Sequence, residues 1–155
     1  MKHVLFILFA IFLVLSPLRS AAQTNRVGTF NRQAIALAYY RSPLFANDLA
    51  QHRAALADAR RANDTEKIRT ISAWLSQSQE LAHTQVFENA SIPNILEALK
   101  PAFDEIEKTQ HLPSVVQAPA GNSAETVDVT PQLLDWLKAD SQTRSLIQDM
   151  QKQRK

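Results

Sequence analysis

The sequence predicts a mostly α-helical protein, built as one long antiparallel helical hairpin on a small body that holds two short β-strands. Three observations carry this. Apolar residues recur at helical spacing on both sides of the turn signal Asn63-Asp64-Thr65. Two short segments, residues 26–31 and 111–118, read instead as extended chain between turn residues. The chain of 155 residues contains two glycines and no cysteine, so burial and helix packing must hold it without disulfides or thiolate zinc sites.

The chain opens with a basic Lys2, an apolar run over residues 4–15, a break at Ser16-Pro17 and the small residues Ser20, Ala21 and Ala22. This is the layout of a secretory signal peptide over residues 1–22. An apolar run of 12 residues is shorter than the ~18 needed to cross a bilayer as a helix, so no stable membrane anchor is expected. Cleavage after Ala22 would leave 133 of the 155 residues as one domain over 23–155, periplasmic or secreted. Lys2 and Arg19 leave with the leader, and the 17 basic residues fall to 15, equal to the 15 acidic ones. A formally neutral chain gives no general electropositive field, so no nucleic-acid partner is expected.

In the body, Val27 and Thr29 alternate with Gly28 and Phe30, which predicts a strand. From Arg32 the spacing of Ile35, Leu37, Ala38, Tyr39 and Tyr40 predicts a helix that stops at Ser42-Pro43. Ser42 is suited to cap the next helix and Pro43 to its first turn, where a missing N–H has no intrahelical partner. That helix is predicted over residues 43–62. Leu49 and Leu56 lie seven apart and Phe45, His52 and Ala59 form the neighbouring row, a coiled-coil spacing that calls for a helical partner. Many small alanines let the partner come close. Asp64 or Thr65 caps the return helix, predicted over residues 66–89 with Ile68, Ile71, Leu75 and Ala82 on one face. The hairpin therefore spans about 43–89, with arms of ~30 Å.

The remaining body comprises residues 26–42 and 92–140. Ile92, Ile95, Leu99, Phe103 and Ile106 keep a helical stripe across Pro101, which predicts a kink or two abutting helices. A second strand follows within 111–118, then a loop over 119–128. A short helix starts with Thr130 as cap and Pro131 in the first turn, carrying Leu133, Leu134, Trp136 and Leu137. The last segment, 141–155, is a polar tail with Leu146, Ile147 and Met150 on one side, able to form a further helix that frays toward Lys155.

The order leader, strand, helical hairpin, helix, strand, short helix is similar to that of the Skp or OmpH-like periplasmic chaperone family. Val27-Gly28-Thr29-Phe30-Asn31, Ile35, Tyr40 and Ser42-Pro43 resemble the family's opening strand and helix start. Leu112 to Gln117, Asp128-Val129-Thr130 and Leu133-Leu134 resemble its second strand, turn and closing helix. The resemblance implies a homo-oligomer, a trimer whose strands form a small central barrel with helical arms that enclose unfolded outer-membrane proteins. This chain would then be a holdase-type chaperone for unfolded envelope proteins. The arms are short and the mature charge neutral, where the family has longer arms and a basic surface, and no individual functional residue is carried over.

No residue pattern points to catalysis. His52, His83 and His111 lack the spacing that sets two metal ligands on one helix face. Asp104, Glu105 and Glu107 form an acidic cluster beside the inward-facing Phe103 and Ile106, so these acids are expected to face water. Gly28 and Gly121 cannot build a phosphate-cradling loop, and no nucleophile elbow is present. The expectation is a protein that is not an enzyme and has no cofactor, metal or catalytic residue. Phe45 and Trp74 are the candidate client-contact residues, Trp74 because the middle of a thin two-helix arm offers few places to bury an indole. The alternative is a structural or adaptor subunit of an envelope complex that binds one specific protein.

Overall fold

A computed structural model describes residues 26–118 and 125–153; the leader and its cleavage bond lie outside the described residues. The protein is mostly helical, with 72% of the described residues in six helices around a small three-stranded parallel sheet. Strand β1 (Val27–Phe30) leads into α1 (Arg32–Tyr40), α2 (Pro43–Arg61), α3 (Thr65–Phe87) and α4 (Pro93–Gln110). Strands β2 (Val115–Gln117) and β3 (Thr126–Asp128), then α5 (Thr130–Trp136) and α6 (Ser141–Lys152), complete the order.

The helix boundaries follow local chemistry. Asn31, Ser42, Asp64 and Asp140 each accept a backbone N–H of the first turn that follows, and Pro43 stands at the start of α2. Asn63 takes the left-handed conformation between α2 and α3, with φ 52°, a region that asparagine tolerates better than most residues. The two helices pack along each other. Their seam is thin, since α2 buries only Leu56 and Ala59 and α3 only Gln85 and Val86.

Strand β1 is the central strand, flanked by β2 and β3 and parallel to both. Parallel neighbours need long crossovers, and α1 to α4 supply the one between β1 and β2. Gly28 lets β2 approach, because a Cβ there would stand 2.9 Å from Val115 Cγ2 and 3.0 Å from Leu112 Cδ1. Phe30 of β1, Ile35 of α1, Ile95 and Leu99 of α4, and Leu133 of α5 with the adjoining Leu137 form the centre of the core.

Four expectations are corrected. The body holds three strands, because residues 126–128 of the expected loop pair with β1, Val127 opposite Gly28. Of the kink or two abutting helices expected at Pro101, the two helices are excluded, since α4 runs as one helix; the proline sits on the exposed face, where water can satisfy the carbonyl left without its N–H. Thr130 does not cap α5, since its hydroxyl accepts the Asn31 N–H at 2.9 Å. Residues 141–152 form α6, which packs on α1 and buries Thr143 and Ile147, so this segment belongs to the body.

A buried polar network joins α1 to the link between α3 and α4. The Arg32 guanidinium donates to the Gln85 and Ala90 carbonyls and to Asn89 Oδ1. Gln85, fully buried, accepts from the Tyr40 hydroxyl at 2.7 Å and donates to the Ser91 carbonyl and Asn94 Oδ1, each at 2.7 Å. Every polar atom of the Gln85 side chain is thereby satisfied.

Two capping carboxylates set an acid limit. The Lys67 backbone N–H, reinforced by its ammonium at 3.0 Å, holds the Asp64 carboxyl below the usual range. The Thr143 backbone N–H and hydroxyl do the same for Asp140. Lowered folded pKa values add stability that is complete above the unfolded value of about 3.9 and is lost as pH falls through the folded values. The melting temperature is therefore expected to drop below about pH 4. Asp140→Asn, which still caps but does not titrate, should flatten that drop in melts between pH 5 and pH 2.

Candidate functional site

The two aromatic residues chosen from the sequence sit in separate ring clusters. Phe45 is half-buried at the start of α2, its ring centroid 4.8 Å from Tyr40 and 5.8 Å from Tyr39. Burial pushes both tyrosine phenols above their ordinary value, so they stay neutral, and Tyr40 edges onto Phe45. Trp74 is half-buried in the middle of α3, stacked on His52 of α2 with centroids 3.5 Å apart and planes 4° from parallel. The imidazole supplies the cover that the thin seam lacks. The Asp48 carbonyl lies 2.9 Å from His52 Nδ1 and fixes the ring.

A further apolar surface lies on the body. A groove of about 490 Å³ runs between α4 and β2, floored by Phe30, Phe103 and Val115 and rimmed by Leu96, Val116 and Gln117. Leu96 is 37% and Val116 44% exposed, unusual for large aliphatic side chains flanking one concavity. The Lys100 and Glu97 side chains pair across 2.6 Å at its rim.

The groove borders the edge of β2 that no described strand covers. Ser114 O accepts from Gly28 N at 2.9 Å and Ala118 N donates to Phe30 O at 2.9 Å, so the backbone groups of Ser114, Val116 and Ala118 turn toward β1. Those of Val115 and Gln117 turn outward, by the alternation of a strand. The Val115 N–H is taken by Glu107 Oε1 at 2.9 Å, leaving the Val115 carbonyl and both the N–H and the carbonyl of Gln117 without a partner among the described residues. Glu107 therefore departs from the expectation that the acidic cluster faces water: it is half-buried and caps β2, whereas Asp104 and Glu105 are exposed.

Sequence reasoning missed Leu96, Val116 and Glu107. The signals were present in outline. Leu96 falls off the stripe Ile92, Ile95, Leu99, Phe103 and Ile106, and two adjacent valines in one strand must point to opposite faces. Nothing local says which helix lies beside that strand.

Among the described residues no group of three or more histidine, aspartate or glutamate side chains is placed to hold a metal ion, and no helix is long and apolar enough to cross a membrane. A second concavity, between α4 and α5, includes Gln132, whose Oε1 is buried without a hydrogen-bond partner. Comparison with protein-family models, curated proteins and solved structures finds no match, so the site is read from its own geometry.

Proposed function

We propose that this is an exported, cofactor-free binding protein that shields apolar stretches of unfolded envelope or outer-membrane polypeptides, a holdase of the Skp type. The α2–α3 pair would serve as the arm of a homo-oligomer, a trimer in this reading. The observation that carries the proposal is the open α4–β2 groove, which presents Leu96, Val116 and Phe103 beside a strand edge left unpaired among the described residues. Apolar burial contributes ~25 cal/mol per Å² without regard to direction, which suits many client sequences. Phe45 and Trp74, each half-exposed on the arm, add aromatic surface.

The test is dilution of a urea-unfolded outer-membrane protein into buffer containing the chain without residues 1–22, with aggregation followed by light scattering. Suppression near stoichiometric ratios is expected. Leu96→Lys and Trp74→Ser should each weaken it, and multi-angle light scattering should give a mass above that of one copy. Unsuppressed aggregation together with a monomeric mass would sink the reading in favour of an adaptor with one specific partner.

A further inference from the structure

We draw no further inference here: the strongest candidate, the apolar groove between α4 and β2 with Leu96 and Val116 exposed at its rim, belongs to the site already described, and nothing in the structure shows what covers it.

Discussion

Replacing Gln85 with leucine is expected to lower the unfolding free energy by about 3 kcal/mol, among the largest single losses available on the surface between α1 and α3. The substituted side chain has a similar volume, so the loss comes from polar groups rather than from a cavity. The Ser91 carbonyl and Asn94 Oδ1 each lose a donor at 2.7 Å, and the Tyr40 hydroxyl loses its acceptor at 2.7 Å, in a position where Gln85 is fully buried. Each lost bond costs about 0.5 to 1.5 kcal/mol, because Ser91 and Asn94 are exposed and Tyr40 half-buried, and Tyr40 keeps a second contact, to Asn94 Nδ2 at 3.4 Å. Urea unfolding followed by circular dichroism should show a lower midpoint with an unchanged slope. A loss below about 1 kcal/mol would mean that water replaces the amide and that the network does not hold the base of α3 to α1.

Leu99→Ala is expected to cost about 3 to 5 kcal/mol, and Leu96→Ala, one turn earlier on α4, within about 0.5 kcal/mol. Leu99 is fully buried in the core with Ile95 and Leu133, so truncation removes its transfer energy and leaves a cavity. Leu96 is 37% exposed at the groove rim and lies outside the core cluster. The contrast separates stability from binding on one helix. Leu96→Ala should weaken suppression of client aggregation while the urea midpoint stays in place, and Leu99→Ala should move the midpoint first. If both variants unfold alike, Leu96 belongs to the core and the groove is closed.

Much of the helical layout could be read from the chain. Ser42-Pro43, Asn63-Asp64 and Asp140-Ser141 each place a side-chain acceptor ahead of a helix, and the structure starts α2, α3 and α6 there. Capping and periodicity act over three or four residues, so they are written locally. Thr130 shows where this stops. Its dipeptide with Pro131 has the right chemistry for a cap, but Asn31, 99 positions earlier, takes the hydroxyl. In the same way Glu107 has the sequence context of a solvated acid until β2 arrives beside α4 and presents the Val115 N–H.

The candidate site was legible only in part. Aromatic residues on a thin two-helix seam directed attention to Phe45 and Trp74, and both keep part of their rings at the surface. That His52 would cover the indole face depended on the register of α2 against α3. The groove had no sequence motif, because its two walls come from a helix stripe and a strand of three residues that periodicity alone cannot pair.

By itself the amino-acid order determined that this chain is mostly helical, where its long helices begin, and that α2 and α3 are separated at Asn63. Those outcomes depend on side chains a few positions apart, whose interactions survive any choice of global arrangement. Only the tertiary structure decided that residues 126–128 form a strand, that α6 joins the body, and that β2 keeps outward hydrogen-bonding groups without a partner among the described residues beside an apolar groove. Strands of three or four residues gain too little locally to form alone. Their pairing is fixed by partners such as Thr29 and Val127, 98 positions apart, which meet after the helices have packed.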